Sequence, residues 1–205
     1  MNQINQNVTQ GKKKLPLRML VSVAMLSGLA YVLSYFETSI PFFPPFLKMD
    51  LSNFPALIIA FAFGPLAGVM VELIKNLLGL LTTSTGGIGE LANFIVGASM
   101  AYVAGFIYQL NKTRKGAIWG LAVGTIVKGI MGAVTNYFIL LPLYSVFMPL
   151  DELIQSFSSI MPFIDSKLDV VLFSIFPFNL LKGLIISLVT LAMYKRVSPL
   201  FKDTH

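Results

Sequence analysis

Five ionisable residues interrupt stretches of sequence that are otherwise strongly apolar. They are Glu72, Lys75, Glu90, Lys128 and Lys182. A charged side chain inside a lipid bilayer is costly, so each of them is expected to face a cavity or a partner group. The chain has no cysteine, and its one histidine is the final residue, His205. Thiolate nucleophiles, disulfides and histidine-based metal clusters are therefore excluded.

Four asparagines accompany these charges in the apolar stretches: Asn76, Asn93, Asn136 and Asn179. With a rise of about 1.5 Å per helical residue, all four are placed at a similar depth, roughly one-third of the way in from one membrane face. Four helices would thus offer hydrogen-bond donors and acceptors in one layer, which predicts a site for a polar ligand. The alternative is that these groups only join helices to one another.

The two interpretations apply differently to individual residues. Glu72 and Lys75 lie one turn apart on the same helix, which favours a structural ion pair. Lys128 lies deeper, among glycines, and is also interpreted as structural or as a subunit contact. Asn179 and Lys182, three residues apart on one helix face, are instead interpreted as ligand-binding residues.

A ligand role is also favoured for Glu90 and Asn93. They follow residues 82–89, which are almost all threonine, serine and glycine. Small residues of this kind allow the backbone to approach a ligand closely.

The elements that must position these groups are six apolar segments, at residues 17–36, 51–63, 65–81, 88–110, 117–143 and 168–194. Of the 205 residues 56% are hydrophobic and 12% charged, and the mean hydropathy of +0.78 is typical of a membrane protein. The second segment is shorter than the roughly 20 residues that cross a bilayer. Gly64 and Pro65 are expected to join it to the third as a tight helical pair. We therefore predict an all-α membrane protein with six transmembrane helices and two large outer loops.

The basic residues predict the orientation of these helices. Six spans place ten of the 15 lysines and arginines on one side, whereas the opposite loops hold two lysines and six acidic residues. Basic loops remain on the cytoplasmic side, so both termini are predicted to be cytoplasmic. The expected domains are a polar and basic tail at residues 1–16, a transmembrane domain at 17–195 and a second tail at 196–205. Because the net charge of +6 is explained by topology, no nucleic-acid partner is expected.

Both outer loops have features of lids. Residues 38–50 contain three prolines and several large apolar residues, so this loop is expected to be stiff, to lack regular hydrogen bonding and to bury its aromatic rings. Residues 150–160 show apolar side chains at helical spacing, and Asp151 and Glu152 suit the N-terminus of a short interfacial helix.

The sequence does not favour an enzyme. It lacks a glycine-rich loop ending in Lys-Ser or Lys-Thr, so it cannot hydrolyse ATP by that route. Without cysteine or an internal histidine, no catalytic set of residues can be assembled, and no cofactor is expected.

Three stretches carry a resemblance to a known family. They are PFLKMDLSNFPAL at residues 45–57, the pair Lys75-Asn76, and GIGELANF at residues 87–94. Together they resemble the riboflavin-specific S component of energy-coupling factor (ECF) transporters, over nearly the whole chain. The resemblance implies a multi-pass subunit in the bacterial cell membrane that captures the vitamin from outside. It also implies docking on a transmembrane coupling (T) subunit driven by two ATPases.

The resemblance also implies where the coupling subunit docks. Family members use a small-xxx-small face on the first helix, and the matching residues here are Ala24 and Gly28. Similar repeats run through residues 97–105 and 116–124. Those are expected to pack helices inside the subunit.

Riboflavin has a uracil-like ring edge that asparagine amides and Lys182 can recognise. Its ribityl hydroxyls could be bound by Glu90, Asn93, Lys48 or Asp50, and Leu47 suits the apolar ring. The residues expected to bind substrate are Leu47, Lys48, Asp50, Glu90, Asn93, Asn136, Asn179 and Lys182. Thiamine is less suitable because the sole tryptophan, Trp119, lies at the opposite end. A proton-coupled secondary transporter using Glu72 or Glu90 remains the alternative from another class.

Overall fold

The computed structural model describes residues 17–41, 43–44, 47–83, 85–146 and 149–202, without the side chains of 195–202. The predicted tail at residues 1–16, three positions of the first outer loop, and residues 203–205 lie outside this part of the chain. The helices are α1 (Leu17–Ser34), α2 (Phe54–Phe63), α3 (Pro65–Gly79), α4 (Ile88–Leu110), α5 (Arg114–Thr135), α6 (Leu141–Tyr144), α7 (Leu150–Ser158), α8 (Lys167–Asp169) and α9 (Phe176–Lys202).

Five stretches of the described chain are long and apolar enough to cross a membrane. They are Leu17–Ser34, Pro65–Thr82, Ile88–Leu110, Arg114–Tyr144 and Lys167–Tyr194. The second helix along the chain, α2, is apolar but has only 10 residues. The fold is thus a helical membrane bundle with one short helix, as the apolar segments predicted.

The short helix α2 lies in the middle of the bundle. Residues 55–61 are all buried, and α2 packs against α1, α3, α4 and α9. It ends at Gly64, whose φ of 101° is strained for any residue with a Cβ. Pro65 then begins α3 at a position where its missing N–H costs nothing. These two residues produce the tight helical pair expected from the sequence.

Glycines allow the longer helices to approach one another. A Cβ at Gly120 would lie 2.7 Å from the carbonyl oxygen of Ala104, and one at Gly105 would lie 2.9 Å from the Cβ of Ala60. The repeats at 97–105 and 116–124 therefore pack inside the subunit, as predicted.

Two helices contain π-helical segments that the sequence analysis did not anticipate. Asn136–Leu140 follows α5, and Val170–Ile175 precedes α9. The first segment lies just before Pro142, and the second lies just before Pro177. A proline removes one backbone N–H and clashes with the carbonyl four residues earlier, and the wider π turn accommodates it.

The first outer loop is more regular than expected. Two short antiparallel strands, β1 (Thr38–Ser39) and β2 (Lys48–Met49), pair its two ends. The expectation that the loop lacks regular hydrogen bonding was therefore wrong. The strands form where the loop has no proline, so the backbone donors needed for pairing are present.

Candidate ligand-binding site

A cavity of about 630 Å³ lies where α4, the π segments and α9 meet the first outer loop and α7. Its volume is within the range of pockets for small molecules. All eight residues predicted to bind substrate line it: Leu47, Lys48, Asp50, Glu90, Asn93, Asn136, Asn179 and Lys182. Residues from four separate parts of the sequence are therefore brought to one place.

At the junction of the loop and α9, Asp50 and Lys182 form a buried ion pair. The Lys182 Nζ lies 2.6 Å from the Asp50 Oδ2, and the backbone N–H of Ser52 donates to the Asp50 Oδ1 at 2.7 Å. Burial alone would raise the pKa of Asp50. The positive charges of Lys182 and Lys75 and the hydrogen bonds from Lys182 and Ser52 outweigh it and hold that pKa well below its usual range. Asp50 is therefore a carboxylate that fixes the end of the loop to α9.

Glu90 is held by the small residues that precede it. Its Oε2 accepts hydrogen bonds from the hydroxyls of Thr83 at 2.9 Å and Thr85 at 3.2 Å. The turn between them uses positive φ angles at Gly86 and Gly87, of 62° and 91°. The threonine hydroxyls thus orient a carboxylate toward the cavity at the start of α4.

Of the four asparagines predicted to form one polar layer, three line the cavity. Asn136 and Asn179 each donate to the carbonyl four residues earlier, at 2.7 and 2.9 Å, which leaves the amide oxygen as an acceptor at the cavity wall. The Asn179 side chain fits against Gly132, where a Cβ would lie 2.6 Å from its Nδ2. Asn76 does not line the cavity. It is buried in α3 and donates to the Glu72 carbonyl at 2.8 Å.

A buried polar network lies beside the cavity. Lys75 Nζ is 2.6 Å from Glu72 Oε2, in a charge contact rather than an aligned hydrogen bond, because the Glu72 Oε2 has no hydrogen-bond partner among the described residues. The side-chain amide of Asn53 donates to the Glu72 Oε1 at 2.8 Å, and the Lys128 Nζ donates to the Asn53 Oδ1 at 3.1 Å. The structural interpretation of Glu72 and Lys75 agrees with these contacts. Lys128 belongs to this network and also lines the cavity.

The two outer elements cover the cavity together. Leu153 and Phe157 of α7 line it, and Leu47 of the first loop packs with them in one apolar cluster. Phe43 makes an edge contact with Phe178, with ring centroids 5.4 Å apart. Phe43 is thus partly buried and packs against α9, as expected for an aromatic ring of this loop.

Sequence reasoning missed several residues of the cavity wall. They include Glu37, Val96, Leu140, Leu141, Tyr144, Ser156 and Ile175. Most are apolar residues that look like ordinary helix interior in the sequence. The signal that could have identified them is proline, because Pro142 and Pro177 mark the π segments that bend the wall.

The residues predicted to contact a partner lie on the surface of α1. Ala24 is exposed and Gly28 is partly exposed, and nothing lies within 4 Å of a Cβ placed on Gly28. The opposite face of α1 is buried through Met19, Val23 and Ala30. The small-residue face therefore points away from the subunit.

The sequence matches the family described as ECF transporter, substrate-specific component, over residues 18–194. The chain belongs to this family. The S component is 38% identical to the riboflavin transporter RibU of Staphylococcus aureus (strain TCH60), across 94% of this chain and 98% of that protein. It is 34% identical to the riboflavin transporter FmnP of Bacillus subtilis (strain 168), across 88% of this chain and 92% of that protein.

Solved structures agree with this assignment. One described as the S component of a bacterial ECF transporter superposes with a TM-score of 0.71 at 38% identity, covering 90% of this chain and 98% of that one. ThiT from Listeria monocytogenes superposes with a TM-score of 0.57 at 21% identity, covering 88% of this chain and 97% of that one, which shows a shared fold. The S component is thus a multi-pass membrane protein and a substrate-binding transport subunit rather than an enzyme.

Proposed function

We propose that this S component binds riboflavin and delivers it across the bacterial cell membrane. The observation that carries the proposal is the convergence of all eight predicted residues on one cavity of about 630 Å³. The relatives named as riboflavin transporters, similar over nearly their whole length, support the choice of ligand. Riboflavin is the transported substrate and not a cofactor.

The cavity wall suits the two parts of this ligand. Asn136, Asn179 and Lys182 offer donors and acceptors for the ring edge, and Leu47 offers apolar contact for the ring. At the other end, Glu90 and Asn93 can accept from and donate to the ribityl hydroxyls. Lys48 and Asp50, on the loop that covers the cavity, are also assigned to the hydroxyls.

Binding of riboflavin by the purified protein tests this proposal. Protein purified in detergent is expected to carry yellow flavin absorbance. After the flavin is removed, calorimetric titration should show one riboflavin bound per chain and no comparable heat with thiamine. Preference for thiamine, or no heat with riboflavin, would contradict the proposal.

The proposed topology has six spans with both termini in the cytoplasm. The five long apolar stretches and the short α2 support this count, and the basic bias of the loops supports the orientation. In this arrangement residues 17–195 form the membrane domain, and residues 1–16 and 196–205 are cytoplasmic tails. The cavity then opens to the outside.

We further propose that transport requires a coupling T subunit and two ATPases, docked through Ala24 and Gly28. Ala24→Arg would place a long charged side chain where another helix must pack closely, and this should abolish docking. The cavity is built from other elements, so purified Ala24→Arg should bind riboflavin as the wild type does.

Co-purification and uptake measurements check the docking proposal. The Ala24→Arg variant should lose the T subunit and the ATPases on purification, and cells that depend on it should not take up riboflavin. Leu29→Arg, exposed on the same helix but five residues and thus about 140° around it from Ala24, serves as the control for an added charge. Uptake by the chain alone in vesicles without ATPase, driven by a proton gradient, would favour a secondary transporter instead.

A further inference from the structure

Lys128 lies at the wall of the cavity, and no acidic side chain among the described residues is paired with it. Its side chain is buried, with 2% of the residue exposed, yet it lines the cavity together with Lys182. Within the part of the chain that the structure describes, no carboxylate oxygen lies within 4.0 Å of its Nζ. The two buried acids of the region are already paired, Glu72 with Lys75 and Asp50 with Lys182, each at 2.6 Å.

One protein acceptor is at hydrogen-bond distance from this amine among the described residues. It is the Asn53 Oδ1 at 3.1 Å, and the other side of the same amide donates to Glu72 at 2.8 Å. A lysine ammonium has three donors. Asn53 therefore orients the amine and uses one of these donors, and the cavity side of the group faces the ligand.

The neighbours of Lys128 place it at the end of the cavity assigned to the ring. Its Cδ lies 3.3 Å from the position of a Cβ on Gly183, directly after Lys182. One turn further along α5, Gly132 packs against Asn179. Lys128 thus shares its end of the cavity with the two residues that contact the ring edge in the proposed function.

Besides Lys128 itself, the charged groups near this end come from three elements, the first outer loop, α9 and α3. Asp50 and Lys182 form one pair, and Glu72 and Lys75 of α3 form another. Glu90 of α4 is further away, because Gly97, seven residues later, is the α4 residue that contacts Asn53, and seven residues span about 10 Å of helix. The cavity therefore has two lysines and the Asp50 carboxylate at one end, whereas Glu90 lies toward the other.

We propose that Lys128 is a further substrate-recognition residue, whose side-chain N–H groups donate to a carbonyl oxygen of the flavin ring. The proposal rests on riboflavin being the substrate. Lys128 and Lys182 together supply donors to an edge that presents carbonyl acceptors, and Asn179 supplies the acceptor for the N–H between them. This arrangement selects a ring with an acceptor–donor–acceptor edge.

Riboflavin titration of Lys128→Met tests the proposal. Loss of the donor leaves a buried ring carbonyl unpaired, so the dissociation constant should rise by about 5- to 150-fold. The matched control is the double variant Glu72→Gln/Lys75→Met, which alters the same network without touching the cavity wall and keeps an acceptor for Asn53. Its dissociation constant should stay close to that of the wild type.

Infrared spectra of the bound flavin separate recognition from a structural role. A donor on a carbonyl lowers its stretching frequency, so a ring carbonyl band should move to higher frequency in Lys128→Met and remain in place in the control. An unchanged carbonyl band would overturn the proposal, whether or not affinity falls. If Lys128→Met cannot be purified, Lys128→Gln replaces the charged amine by a neutral amide, which is a weaker donor. The carbonyl band should then shift in the same direction by a smaller amount. A band at the wild-type frequency in this variant would also overturn the proposal. If the wild type binds no riboflavin, the proposed function fails first and this inference with it.

Discussion

The two ends of the bundle differ in how closely the same helices pack. At the closed end, Phe61, Tyr108 and Tyr194 fill the interior, with the Phe61 and Tyr108 ring centroids 4.4 Å apart and the two tyrosine hydroxyls 3.1 Å apart. At the cavity end, the interior contains ion pairs, amides and a ligand-sized space. The helices are continuous from one end to the other, so local sequence must create the difference.

Small residues allow close packing at the closed end, whereas prolines accompany the distorted helices at the cavity end. Gly105 and Gly120 allow backbones to touch at the closed end, where a ligand could not fit. Pro142 and Pro177 follow the π segments that shape the wall of the cavity end. Close helix packing and the ligand cavity are thus located at separate ends of the same helices.

Accessibility of single cysteines is expected to distinguish the two ends completely. The chain has no cysteine of its own, so Ser159→Cys near the cavity end and Asn111→Cys near the closed end can be made without a background signal. Both positions are exposed. In intact cells an impermeant thiol reagent should label Ser159→Cys and not Asn111→Cys. The reverse pattern would invert the proposed orientation.

Overpacking the closed end should reduce stability and leave affinity unchanged. In Gly120→Val the new Cβ would lie 2.7 Å from the Ala104 backbone oxygen, and forcing α4 and α5 apart should cost about 3 kcal/mol. Thermal unfolding in detergent measures the effect, with Gly28→Val as a control because that position faces open space. A variant with weakened riboflavin binding but normal stability would show that the two ends are not separate.

Removing a charge from the cavity end should lower the affinity for riboflavin, which overpacking of the closed end should not. Lys182→Met takes a donor from the ligand and leaves Asp50 buried without its ion-pair partner. The expected loss of binding free energy is about 1–3 kcal/mol, which is about 5- to 150-fold in the dissociation constant. Lys75→Met, which alters an ion pair outside the cavity wall, should weaken binding less. A calorimetric titration that gives wild-type affinity for Lys182→Met would remove this residue from the site.

The sequence predicted most of the helices because their apolar segments are long. It also identified the polar residues that converge on the cavity, since few polar groups occur in those segments. The eight residues were selected with the help of a family resemblance, and their contacts with a ligand remain a prediction.

Tertiary contacts decided the features that the sequence did not predict. The Asp50–Lys182 pair joins residues 132 positions apart, and no local pattern shows that these two predicted ligand residues contact each other. Asn76 appeared equivalent to the other three amides by depth, but the rotation of α3 turns it away from the cavity. Lys128 was interpreted as structural from its glycine neighbours, and two of these, Gly129 and Gly132, pack against α9 and bring it close to Lys128.

The short length of α2 has a consequence for how the protein is assembled in the membrane. Its 10 residues span about 15 Å, roughly half the hydrocarbon thickness. The buried segment containing Ser52 and Asn53 must therefore lie at membrane depth, where unpaired polar groups are costly. The Ser52 hydroxyl accepts a hydrogen bond from Lys75 of α3, but the side-chain Oδ1 of Asn53 accepts from Lys128, 75 positions later. Until α5 is present, the Asn53 Oδ1 thus lacks its donor, so we expect this part of the fold to be completed only after α5 enters the membrane.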